Sequence, residues 1–260
     1  MDTIQAILLG IVQGITEFLP VSSSGHLQIA KELLGVEIDN NITFDVTLHA
    51  ATVCSTIVVL WRELWKLLKG CFSTRFNEEQ AYVLKVIVSM IPAGIIGVLF
   101  ADEIEALFSS LWFVGLMLLL TAALLSFAYY AKPRQKSEIS YRDAFLIGVA
   151  QAAATMPGLS RSGSTIATGL LLGNEKSSVA NFSFIMVIPV ILGKMLLDIL
   201  SGEMASMSVP TEALVSGFLA AFISGALACK FMIEIVKRGK LIWFAVYCLA
   251  AGLICLIGTI

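Results

Sequence analysis

Nearly every polar group lying deep in apolar sequence belongs to one of two short stretches. The first supplies Gln13, Glu17, Ser22, Ser23, Ser24 and His26; the second supplies Ser160, Arg161, Ser162, Ser164 and Thr165. Ionisable side chains are costly in lipid, so within an apolar run their default reading is functional. Together these groups suit an oxyanion. The run from Ser160 to Thr165 opens a new apolar stretch, and helix N-termini offer unpaired N–H groups and the positive end of the dipole. Hydroxyls add donors, and the planar fork of Arg161 matches phosphoryl oxygens. Gln13 and Glu17 are four residues apart and share one helical face, which aims Glu17 along the side of the Ser-rich break. Its carboxylate suits a divalent metal or a general base. His26, at a Ser-Gly turn, is suited to relaying a proton or attacking phosphorus. The other histidine, His49, follows Phe44-Asp45 in an apolar run and is a candidate to line the same cavity.

Blander readings compete with each of these. Glu17 and Arg161 could form a purely structural bridge, but that leaves the hydroxyls around them unexplained. Helix capping accounts for one of Ser160, Ser162 and Thr165, not for all of them beside an arginine. A lone histidine is often a hydrogen-bonded structural residue, and this weighs more on His49 than on His26.

The elements that must hold these groups are membrane elements. Of 260 residues, 58% are hydrophobic and 14% charged, against about 25% charged in soluble domains. The charges gather between long apolar runs, which argues against a soluble α/β enzyme. A net charge of −2 gives no basic surface for nucleic acid. Four of the five cysteines lie in apolar runs and none forms a close pair, so they read as buried apolar residues rather than disulfides or metal ligands. The N-terminus lacks the basic region of a cleavable signal and is expected to be retained.

Apolar runs near 44–61, 85–101, 111–131, 178–200, 212–235 and 241–259 are long enough to cross about 30 Å of hydrocarbon. Two further runs, about 4–30 and 144–173, are interrupted by Pro, Gly, Ser and charge. Irregular backbone at membrane depth survives only where protein or a watery cavity satisfies it, so both are expected to be re-entrant helical hairpins. A shift of 138 residues pairs Ala6 with Ala144, Gly10 with Gly148, Gln13 with Gln151, Ser22 with Ser160, Ser24 with Ser162, Gly25 with Gly163 and Phe44 with Phe182. A shift of 131 pairs Trp112-Phe113 with Trp243-Phe244. The expectation is one all-α, polytopic membrane domain over 1–260. It holds two repeats, about 1–131 and 141–260, each a re-entrant hairpin plus three transmembrane helices. Three spans per repeat invert the second half relative to the first.

Loop charges set the orientation. Arg62, Lys66, Lys69, Arg75 and Lys85, then Lys132, Arg134, Lys136 and Arg142, then Lys237, Arg238 and Lys240 mark cytoplasmic segments. Asp102, Glu103, Glu105, Glu203 and Glu212 mark outer ones. Both termini then fall outside. The first hairpin enters from outside and the second from the cytoplasm, so their tips can meet near the midplane. On the residues alone, this is an oxyanion site that fits a phosphatase or an anion transporter.

The chain also resembles, over essentially its whole length, the undecaprenyl pyrophosphate phosphatase family of the bacitracin-resistance type. Gln13-Gly14-Ile15-Thr16-Glu17 matches that family's acidic motif, and Phe18 to His26 continues it as Phe-Leu-Pro-Val-Ser-Ser-Ser-Gly-His. Residues 157–165 match Pro-Gly-x-Ser-Arg-Ser-x-x-Thr at every fixed position. The resemblance implies hydrolysis of undecaprenyl pyrophosphate to undecaprenyl phosphate and inorganic phosphate in the bacterial plasma membrane. That reaction recycles the carrier for peptidoglycan, and the site is expected to open toward the outer face. It implies a divalent cation, Mg²⁺ or Ca²⁺, associated with Glu17 and Gln13. Glu17, Ser23, His26 and Arg161 would be catalytic, with Ser23 or His26 as nucleophile or proton relay. Ser22, Ser24, Ser160, Arg161, Ser162 and Thr165 would bind phosphate. Many relatives carry Glu where this chain has Gln13, which places the metal-binding or basic role on Glu17. The implied partners are the polyprenyl pyrophosphate lipid and membrane lipid, with a homodimer left open. Rival classes are a lipid or anion transporter, a structural scaffold, and a type 2 phosphatidic acid phosphatase. The last needs a histidine after Ser160-Arg161, and none occurs there.

Overall fold

A computed structural model describes residues 1–36, 42–108, 110–131, 136, 138–200 and 209–258. The helices are α1 (Thr3–Phe18), α2 (Ser23–Leu33), α3 (Ile42–Val59), α4 (Trp61–Cys71), α5 (Glu78–Leu99), α6 (Ala101–Leu107), α7 (Leu111–Tyr130), α8 (Tyr141–Ala153), α9 (Arg161–Leu171), α10 (Lys176–Leu200), α11 (Thr211–Arg238) and α12 (Ile242–Gly258). Among the described residues there is no strand, only an isolated bridge between Lys136 and Asn174. The fold is all-α, as expected. Among the described residues four helices, α5, α7, α10 and α11, are long and apolar enough to cross a membrane, and a fifth span exists if α3 and α4 are taken together. The protein is therefore a multi-pass membrane protein. The expected span at 241–259 is α12, which has 17 residues.

The stretch 62–85, expected to be a connecting loop, departs from that reading. It contains α4, which leaves α3 at an 82° bend. Here apolar and basic residues alternate at helical spacing, so one face can be apolar without forming a spanning run. Trp61 and Trp65 stack on that helix, Lys69 lies over Trp65, and no α4 residue is buried by protein. The span after it starts at Glu78 rather than at 85, because the Asn77 side chain caps the helix by accepting the Gln80 N–H. Of the loop charges used for orientation, Lys132, Arg134 and Glu203, and the side chains of Asp102 and Glu105, lie outside the described residues.

The two interrupted runs are helix–break–helix units, α1–α2 and α8–α9, built alike. Ser22 Oγ accepts the Gly25 N–H and Ser160 Oγ accepts the Gly163 N–H. Beside each cap lies a second serine, with Ser22 and Ser24 hydroxyls 3.3 Å apart and Ser160 and Ser162 hydroxyls also 3.3 Å apart. The breaks touch. Ser162 Oγ donates to the Leu19 carbonyl at 3.1 Å, and a Cβ on Gly163 would lie 3.3 Å from Pro20 Cβ. Gly158, at φ 89°, lets the second break pass so close to Val114 of α7 that a side chain would strike its backbone.

Each unit's first helix is held by a helix from the other half of the chain. α1 lies along α11, and α8 along α5. A Cβ on Gly10 would sit 2.5 Å from the Gly217 carbonyl oxygen, and one on Gly14 equally close to that of Ala221. A Cβ on Gly148 would collide with the Ser89 backbone. Lipid supplies little hydrophobic drive between helices, so association depends on close contact, which small residues permit. Leu at Gly10 or Gly148 is therefore expected to destabilise the protein by about 2 kcal/mol, through overpacking, and to lower the thermal midpoint in detergent. Ala at Gly94, where the added Cβ meets nothing within 4 Å, is the control and should not lower it.

Candidate active site

α1 runs its polar face inward and ends just after Glu17, because Pro20 prevents the helix from continuing. This leaves Gln13 and Glu17, both buried, at the approach of the two breaks. Glu17 is the hub of the site. One carboxylate oxygen, Oε1, accepts from Arg161 Nη2 at the start of α9. The other, Oε2, accepts from Ser23 Oγ at 2.7 Å and from Gln13 Nε2 at 2.9 Å. The same Gln13 nitrogen is 3.1 Å from His49 Nδ1 on α3, and that ring nitrogen is 3.9 Å from Glu17 Oε2. Four separate elements thus converge on one carboxylate, and the guanidinium neutralises a charge that burial alone would not tolerate.

Ser23 reaches Glu17 through a strained turn. Ser22, immediately before it, has φ 71°, the only positive φ at a non-glycine among the described residues. Such a conformation costs about 1–3 kcal/mol. Three contacts hold it: the cap from Ser22 Oγ to Gly25, and the backbone N–H and the Nδ1 of His26, which both reach the Ser22 carbonyl, at 3.2 and 2.8 Å. A carbonyl only accepts, so His26 Nδ1 carries a proton. In the neutral ring Nε2 then accepts, and its partner is the Tyr247 hydroxyl at 2.6 Å. The two rings also stack, with centroids 5.6 Å apart. His26 therefore braces the Ser22 turn and faces α12, with both ring nitrogens engaged, rather than joining the groups bonded to Glu17.

The second break contributes unevenly. Arg161 Nη2 is spent on Glu17, while Nη1 is buried with no hydrogen-bond partner among the described residues. The Ser164 hydroxyl is likewise buried and unpartnered. The others are tied into the scaffold. Ser160 caps α9 and gives its N–H to Thr121 Oγ1, Ser162 holds the first break, and Thr165 bonds the Arg161 carbonyl and Ser183 Oγ at 2.6 Å. An arginine held on one side by a carboxylate, with its second nitrogen open, is a preset half of a bidentate oxyanion clamp.

Several residues in or near this constellation escape a reading of the sequence. Tyr247 is an aromatic in an apolar run, and nothing local marks it as the partner of a histidine far away in the chain. Thr121 and Ser183 are likewise single hydroxyls in spans. Lys31, itself buried, pairs with Asp45 at 2.7 Å between α2 and α3, and Asp45 lies one turn before His49. The signal that could have found this pair is the presence of its charges inside apolar runs.

Among the described residues no three His, Cys, Asp or Glu side chains converge into a metal cage. Glu17 is the carboxylate of the cluster, and the buried Gln13 Oε1 beside it has no partner among the described residues. One carboxylate plus one orphaned carbonyl oxygen fits a Mg²⁺-type ion that takes its other oxygens from a phosphorylated substrate.

Residues 6–254 match the family model described as bacitracin resistance protein BacA. The chain is 57% identical over 261 residues to an undecaprenyl-diphosphatase of Bacteroides fragilis, covering 99% of this chain and 98% of that one. It is 58% identical over 264 residues to an undecaprenyl-diphosphatase of Parabacteroides distasonis, covering 100% and 99%. An undecaprenyl-diphosphatase of Methanosphaera stadtmanae is 37% identical over 277 residues, covering 99% and 98%.

The pair at the hub has a stability signature. Glu17→Ala and Arg161→Ala should each destabilise by about 3–5 kcal/mol, because each leaves its partner's charge buried and alone. The double variant should lose much less than the two single losses together. Thermal unfolding of the four proteins in one detergent measures the coupling.

Proposed function

The chain belongs to the bacitracin resistance protein BacA family, and on that premise we propose that it hydrolyses undecaprenyl diphosphate to undecaprenyl phosphate and inorganic phosphate. This recycles a lipid carrier for cell-wall synthesis and underlies bacitracin resistance. The observation that carries the assignment to these residues is the double engagement of Glu17. Arg161 binds one of its oxygens, and a hydroxyl 2.7 Å away donates to the other.

The chemistry is set by that arrangement. A diphosphate oxygen takes the open Nη1 of Arg161, with the N-terminus of α9 behind it. Ser23 Oγ, already donating to Glu17 Oε2, passes its proton to the carboxylate as it attacks phosphorus. Undecaprenyl phosphate leaves, and water then releases inorganic phosphate from Ser23. The engagement of both His26 ring nitrogens favours Ser23 over His26 as the attacking group. His26 instead maintains the turn that aims Ser23. A divalent cation, Mg²⁺ or Ca²⁺, would be held by Glu17 and Gln13 Oε1 together with the diphosphate. When bound it supplies positive charge to the transferring group. Ser22, Ser24, Ser160, Ser162 and Thr165 act in this scheme by shaping the two breaks.

The orientation proposed is that of two inverted repeats, about 1–131 and 141–260. The first hairpin enters from outside the bacterial plasma membrane, the second from the cytoplasm, and the site opens toward the outer face.

Purified protein given undecaprenyl diphosphate in detergent should release phosphate, and a chelator should reduce the release. Glu17→Ala, Ser23→Ala and Arg161→Ala should each cut the rate by about 100-fold or more. Rapid quench with substrate labelled in the terminal phosphate should trap label on the wild-type protein and none on Ser23→Ala. Absence of trapped label would count against the covalent route. Absence of release from folded protein, with uptake of the lipid or an anion into vesicles, would replace hydrolysis with transport.

A further inference from the structure

We infer that His49 is a donor to the substrate's diphosphate, and that Gln13 makes it one by fixing which ring nitrogen bears the proton. This rests on the hydrolase reading and goes beyond it. The Glu17 carboxylate, paired with Arg161, can only accept hydrogen bonds. The Gln13 atom 2.9 Å from it must therefore be the NH₂ group and not the oxygen, which settles the orientation of the amide. That nitrogen has two hydrogens. One goes to Glu17 Oε2 and the other points at His49 Nδ1, 3.1 Å away. Nδ1 must then accept with its lone pair, and the proton of the neutral ring sits on Nε2.

Nε2–H is the far side of the ring from Gln13, and it has no partner among the described residues. The His49 side chain keeps 34% of its surface accessible, while that of Glu17 keeps 5%. His49 is thus more exposed than Glu17 or Arg161, whose side chain keeps 18%, and lies within 3.9 Å of the carboxylate that serves the attacking hydroxyl. A neutral N–H at this place attracts an anionic oxygen, whereas the opposite tautomer would present a lone pair and repel it. Gln13 acts here as a positioning residue. A carboxylate at that position would accept a hydrogen and require Nδ1–H, which reverses the ring. The two histidines of the chain are consequently held in opposite tautomers, Nδ1–H in His26 by the Ser22 carbonyl and Nε2–H in His49 by Gln13.

Only two histidines exist, so ¹⁵N-histidine labelling gives a spectrum that two single variants assign completely. The expected result is one ring protonated on Nδ1, lost in His26→Ala, and one protonated on Nε2, lost in His49→Ala. The Nε2 signal of His49 should shift when the non-hydrolysable probe methylenediphosphonate is added. In steady-state assays His49→Phe should raise KM for undecaprenyl diphosphate about tenfold, the loss of one hydrogen bond to a charged group, with kcat little changed. His49→Gln, which can offer an amide N–H, should recover most of that loss. Gln13→Glu should move the His49 proton to Nδ1 in the ¹⁵N spectrum. Wild-type protein that releases phosphate while His49 carries its proton on Nδ1 would overturn the inference and leave hydrolysis standing, as would an unchanged KM in His49→Phe. A His49 Nε2–H signal that responds to methylenediphosphonate in protein releasing no phosphate would retain the donor and remove the hydrolase reading.

Discussion

The ion pair between Glu17 and Arg161 is the interaction on which the rest of the molecule depends. It joins the end of α1 to the start of α9, two points far apart in the chain, in a place where neither charge could remain alone. Bringing two charges out of water is unfavourable unless they meet and find further hydrogen bonds. Here Ser23 and Gln13 complete the carboxylate, so the two breaks are pinned by groups that also hold the Ser23 hydroxyl and leave one guanidinium nitrogen unpartnered among the described residues. Stability and chemistry are therefore drawn from one constellation.

That constellation can exist only because the helices around it come very close. α1 and α8 each press a glycine against backbone of α11 and α5, and α7 meets α12 across Gly115 and Gly252. In lipid such contacts replace the hydrophobic drive that would hold a soluble bundle together. The crossing is also what brings the first and second halves of the chain into one site, since each helix–break–helix unit is packed against a long helix from the other half. Strain is concentrated at one residue, Ser22, and His26 with its Tyr247 partner holds it from behind. The cost is local and the return is the aim of Ser23.

The two breaks are alike in their caps but unlike in their contents. Gln151, the counterpart of Gln13, is buried with both amide atoms unpartnered among the described residues, and the counterpart of Glu17 is Thr155. The first break supplies a carboxylate and the hydroxyl that donates to it; the second supplies the guanidinium. A diphosphate needs both signs of partner, a base near the attacking atom and positive charge near the oxygens, and the two breaks, alike in their caps and unlike in charge, hold one of each.

The sequence by itself determined the class of the protein, the positions of its long helices, the two interrupted runs and the polar groups in them. These are local properties. Apolar length, Pro-Gly breaks and serine caps act within a few residues, so they can be read along the chain. It also named Glu17, Arg161 and Ser23, because charge and hydroxyls in apolar surroundings stand out. Only the tertiary structure decided which of those groups meet. It placed His49 beside Glu17 and turned His26 toward Tyr247, although the residue types favoured His26 for chemistry and gave His49 the blander role. It made α4 a helix bent sharply away from α3, where clustered basic residues had suggested a loop. The reason is the same in each case. Which side chain faces which is set by helix crossings between distant segments, and a ring nitrogen's role is set by what lies across from it, neither of which leaves a mark in local sequence.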